Sequence, residues 1–84
     1  MNWKKYTGKN NVSEFVEYRK GRECLVLQRG NGGLWYIFYL QLRSPRSRIV
    51  ERVITLKSFD TKKEGEVFLE RLLSDERLLK KYIS

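Results

Sequence analysis

Histidine is absent from this chain, and cysteine and proline each occur once. Without histidine the commonest acid–base side chain and the commonest metal ligand are missing. A single cysteine, Cys24, leaves no internal disulfide and no second sulfur for a thiolate metal site, and it points to a reducing, intracellular and cytoplasmic setting. As a nucleophile Cys24 lacks a histidine base, so it reads as a small packed side chain. The longest apolar run, Leu34–Leu40, is far short of a membrane span. The N-terminal Met-Asn-Trp-Lys-Lys-Tyr lacks the apolar centre of a signal peptide. The glycine run Gly30-Asn-Gly-Gly33 has no Lys-Ser/Thr after it and is turn chemistry, not a phosphate loop. The expectation is a protein that is not an enzyme, with no cofactor, no metal, no membrane and no small-molecule substrate.

What is present is charge of one sign, unevenly placed. The formal net charge is +8 over 84 residues. Residues 1–18 carry +1, residues 19–59 carry +7 and residues 60–84 sum to zero. Such asymmetry in a small globular chain points to a polyanionic partner.

Four of the eleven aromatics fall in Leu34–Arg43, which reads as the central strand of a sheet. Alternation puts Leu34, Tyr36, Phe38, Leu40 and Leu42 on one face and Trp35, Ile37, Tyr39, Gln41 and Arg43 on the other. The first set is wholly apolar or aromatic and is expected to be core. The second turns polar toward its end and is expected to be open. Glu23–Arg29 reads as the preceding strand, joined through the Gly-Asn-Gly-Gly hairpin signal. After the Ser44-Pro-Arg-Ser47 turn, Arg48–Ser58 reads as the following strand, with Val50, Ile54 and Leu56 on one face and Ile49, Glu51, Val53, Thr55 and Lys57 on the other.

Asp60-Thr-Lys-Lys-Glu64 opens a helix. Thr61 and Glu64 have capping-box spacing, with Asp60 as the other candidate cap. Val67, Phe68, Leu69, Leu72 and Leu73 form its apolar stripe. Gly65 costs helix stability and is expected where the helix start lies close on the sheet. Ser74 is placed to cap a second short helix over Asp75–Tyr82. Residues 12–18 are ambiguous between a short helix and an imperfectly alternating strand, with the helix or a turn favoured. The expected fold class is therefore α+β: a three-stranded antiparallel sheet packed on a C-terminal helix, plus a short terminal helix. Residues 1–20 are an N-terminal arm or short helix, and residues 21–84 a single sheet-plus-helix domain.

On this reading Trp35, Tyr39, Gln41 and Arg43 stand beside Thr55 and Lys57 on an open face. Arg29 approaches from the neighbouring strand, and Arg46 and Arg48 flank at the turn. Arg, Gln and Thr read base edges, and Arg and Lys neutralise phosphates. A two- or three-stranded ribbon fits the major groove. The competing assignment makes Trp35, Ile37, Tyr39, Ile49 and Val53 a second apolar layer covered by Trp3, Tyr6 and Phe15.

Gly33-Leu34-Trp35, then Lys57-Ser-Phe-Asp-Thr-Lys-Lys-Glu-Gly65, then Glu66-Val-Phe-Leu69 resemble the arm-type DNA-binding domain of phage and transposon tyrosine integrases. That family lays a three-stranded sheet in the major groove, as the plant ethylene-response-factor domains do. The resemblance covers less than half of the chain, and Gly65 stands where the family usually has alanine. It implies DNA binding by Trp35, Tyr39, Gln41, Arg43 and Lys57 with Arg46 and Arg48, but not integrase activity, since 84 residues hold no recombinase domain. Lys62-Lys63-Glu64 also resembles the last-helix opening of double-stranded-RNA-binding domains, which would put Lys62 and Lys63 on phosphates. The expected function is a small basic double-stranded-DNA-binding protein. The alternatives are a protein-interaction module such as a phage-encoded inhibitor docking on an acidic partner, or a double-stranded-RNA-binding-like domain.

Overall fold

A computed structural model describes residues 3–9 and 14–84. Five strands, β1 (Lys4–Lys9), β2 (Glu14–Lys20), β3 (Glu23–Arg29), β4 (Trp35–Leu42) and β5 (Val50–Phe59), precede two helices, α1 (Lys62–Ser74) and α2 (Glu76–Ile83). The strands pair in chain order as one antiparallel meander. The α+β class and the two C-terminal helices are as expected, but the sheet has five strands rather than three.

The two additional strands come from the segment expected to be an arm or a short helix. Within residues 12–18, Glu14–Tyr18 belong to β2, while Val12 and Ser13 lie outside the described residues. Val12, Phe15 and Val16 have helical spacing, whereas Val12, Glu14, Val16 and Tyr18 alternate imperfectly as a strand. Pairing of Val16 with Leu27 and of Tyr18 with Leu25 decides for the strand, because both then face the core. Gly21, at φ 59°, gives the two-residue β2–β3 hairpin the positive first angle it needs. The five residues between β3 and β4 include a 3-10 turn over Asn31–Gly33, and Gly30 N–H closes them on the Leu34 carbonyl at 2.8 Å.

α1 crosses β3, β4 and β5 on one face of the sheet, and α2 packs on α1 and β5. Leu25, Leu27 and Ile37 from the strands meet Leu69 and Leu72 from α1, all essentially inaccessible. Burying such side chains stabilises by roughly 1.5–3 kcal/mol each. Thr61 caps α1: its hydroxyl accepts from Glu64 N–H at 3.2 Å and bonds the Glu64 carboxylate at 3.0 Å. Asp75, not Ser74, caps α2, accepting from the N–H groups of Arg77 and Leu78. The Ser74 hydroxyl instead donates back to the Glu70 and Arg71 carbonyls. No helix among the described residues is long and apolar enough to cross a membrane.

Candidate nucleic-acid interface

The covered and uncovered faces of the sheet are the reverse of those expected. Trp35, Ile37, Tyr39 and Gln41 share a face with Leu25, Leu27 and Ile54, and this is the face under the helices. Ile37 is 0% exposed and Tyr39 3%. Tyr39 donates its hydroxyl to Glu23 at 3.1 Å, and Gln41 lies opposite Arg52, whose guanidinium donates to the Ile83 carbonyl at the end of α2 at 3.0 Å. The polar end of this face is thus tied to strand and helix termini. Burial, reinforced by the Glu23 carboxylate, pushes the Tyr39 hydroxyl up to about 12.

Two irregularities in the β4–β5 register complete the rearrangement. Phe38 lies opposite Thr55, but its neighbour Ile37 lies opposite Lys57, which leaves Leu56 as an extra residue. A bulge of this kind breaks strict alternation. Thr55 therefore stays on the uncovered face, whereas Lys57 turns to the helix side, its ammonium 5.1 Å from the ring centre of Phe68. Of the nine expected contact residues, Trp35, Tyr39, Gln41 and Lys57 thus lie on the helix side, and Thr55 is separated from them. Arg29, opposite Trp35, is exposed at the far end of β3. Arg43, Arg46 and Arg48 are exposed at the β4–β5 connection, with Arg43 3.9 Å from Glu51.

The uncovered face has its own pattern. Across the strands, one row runs Tyr6, Glu17, Val26, Phe38, Thr55. A second runs Lys4, Arg19, Cys24, Leu40, Val53, and a third Gly8, Phe15, Gln28, Tyr36, Ser58. Tyr36 and Phe38, two apart on β4, hold their rings 6.0 Å apart and 22° from parallel. Both remain partly exposed, as does Phe15. Tyr6 is 47% exposed, with the Arg19 guanidinium 5.6 Å from its ring centre.

Pro45 folds the β4–β5 connection over one end of this face. It lines a cavity of about 240 Å³ together with Lys4, Tyr6, Arg19 and Lys20. At that end Cys24 and Leu42 are buried, and burial pushes the Cys24 thiol up. Arg19 is held by Glu17 at 2.6 Å, which raises its pKa further, and Lys20 is held by Glu76 at 2.9 Å. Lys4 makes no ion pair among the described residues. No three His, Cys, Asp or Glu side chains gather as a metal site among the described residues.

The residues missed in the sequence are Lys4, Tyr6, Phe15, Arg19, Tyr36 and Phe38. A signal for the last two existed. Pairing Arg29 with Trp35 across the hairpin sets Leu27 opposite Ile37 and Leu25 opposite Tyr39. The leucine face of β3 is then the face of Ile37, leaving Tyr36 and Phe38 on the other side. No protein-family model, curated protein or solved structure matches the chain.

Proposed function

We propose that the protein binds nucleic acid through the uncovered face of the sheet, and that it takes single strands. The observation that carries this reading is the near-parallel Tyr36–Phe38 pair on the uncovered face, which also carries Lys4 and Arg19 on its outer strands. Exposed rings on a sheet offer unstacked bases a platform, and neighbouring cations take the phosphates. The +8 net charge supports a polyanion. A five-stranded sheet is roughly 19 Å across at about 4.8 Å per strand spacing, too broad for a major groove roughly 12 Å wide. The cations of the β4–β5 connection, Arg46 and Arg48, are placed to hold the backbone of either a single strand or a duplex.

Anisotropy titration with labelled single strands of about 12 nucleotides, DNA and RNA, against the matching duplexes tests the reading. Single strands are expected to bind more tightly. Tyr36→Leu and Phe38→Leu, which keep apolar bulk but remove a ring, should each weaken single-strand binding about tenfold, within the roughly 1–3 kcal/mol of a stacked base. Lys4→Ala should lower the salt slope by about 0.7. Duplex binding that equals single-strand binding and ignores both ring substitutions would show that this face is not the interface. No binding of any of the four at low salt would favour the protein-partner alternative.

A further inference from the structure

A second surface lies on the opposite side of the molecule, along the β5 edge. Between the end of β5 and the outer side of α1 runs a cleft of about 460 Å³, within the size range of ligand pockets. Lys57, Lys63 and Arg71 line it, and none of the three makes an ion pair among the described residues. Glu64, its single lining carboxylate, is engaged in the cap of α1. The apolar part is Phe59, Val67 and Phe68. Val67, expected in the buried stripe of α1, is instead 54% exposed on this outer side.

We propose that this cleft binds an extended acidic segment of a partner protein, added as a strand beside β5. Three features together select that occupant. β5 is a ten-residue edge strand with no strand paired on its outer side among the described residues, so its backbone can pair with an incoming chain. Three cations without an ion pair among the described residues call for carboxylates, while the Val67 ledge calls for an apolar side chain between them. The rings are already engaged: Phe68 packs against Phe59 at 5.5 Å and edge-on to Tyr82 at 5.4 Å, with Lys57 above. These contacts hold the two rings in place beside the cations. A second copy of this chain is disfavoured, because it would bring Arg52 and Lys57 of one edge against those of another. The inference does not rest on the nucleic-acid reading.

The test uses the full chain and two labelled ten-residue peptides. One alternates Glu with Leu; the other has Lys in place of each Glu. The acidic peptide is expected to bind saturably and at least tenfold more tightly than the basic one. Lys63→Glu combined with Arg71→Glu should weaken it more than tenfold, and Val67→Asp should do the same. Both positions are exposed, and Lys63→Gln with Arg71→Gln gives a milder second pair whose effect should be intermediate. Amide shifts on peptide addition should include Lys57 and Phe59. Phe38→Leu should leave peptide binding unchanged, and Lys63→Glu/Arg71→Glu should leave oligonucleotide binding to the other face unchanged. Equal affinity for the two peptides, no saturable binding, binding that survives Lys63→Glu/Arg71→Glu, or loss on Phe38→Leu would each overturn the proposal. Shifts confined to α1 would overturn strand addition.

Discussion

Gly65 lies so close to Leu27 that a Cβ on it would stand 2.6 Å from the Leu27 Cδ1. The first turn of α1 thus rests directly on β3, as the glycine in that turn led one to expect. Two effects compete in Gly65→Ala. Helix propensity improves by about 1 kcal/mol. Overpacking against a leucine that is 0% exposed costs about 1–3 kcal/mol. The net expectation is a loss of stability, measured by urea unfolding. Leu27→Ala alone should cost about 2–5 kcal/mol, and the double variant should cost less than the sum, because the new methyl enters the space vacated. Additive costs would show that the two do not touch.

The Tyr39 hydroxyl, raised from 10.0 to about 12 by burial and by Glu23, makes stability depend on alkaline pH. The folded value lies above the unfolded one. Its stabilising contribution is therefore complete below pH 10 and is lost as pH rises toward 12. Thermal unfolding should show wild type losing more stability than Tyr39→Phe between those limits. A parallel decline of the two proteins would refute the assignment.

At the start of α1, Thr61→Ala removes the acceptor of the Glu64 N–H and the partner of its carboxylate. A loss of about 1 kcal/mol is expected by denaturant unfolding, whereas Thr61→Ser should be nearly neutral. Asp75→Ala should cost a similar amount, since its carboxylate serves two N–H groups of α2. Ser74→Ala should cost less than either, which distinguishes the observed cap from its neighbour.

Cys24 is 1% exposed, and burial disfavours its thiolate. Alkylation by iodoacetamide should therefore proceed only through opening of the sheet. Its rate should rise in Gly65→Ala in step with lost stability. Rapid labelling of the native wild type would contradict the burial.

Local chemistry in the chain determined much of this protein. The Thr61 cap of α1, the hairpin between Arg29 and Trp35, the strand expected over Leu34–Arg43 and found over Trp35–Leu42, and the second short helix follow from short-range rules. So does the charge asymmetry, because it depends on composition alone. What only the tertiary structure decided was which side of each strand is covered. Alternation divides β4 into two sets but gives no sign to either, and both sets carry enough apolar surface to be core. The sign came from β3, whose Leu25 and Leu27 select the partners of α1, and from the bulge that separates Thr55 from Lys57. β2 likewise became a strand through pairing, because its pattern fits a helix or an imperfect strand until Val16 lies opposite Leu27 and Tyr18 opposite Leu25. Periodicity is a property of one segment, whereas coverage is a relation between segments, and that relation exists only once the chain has folded.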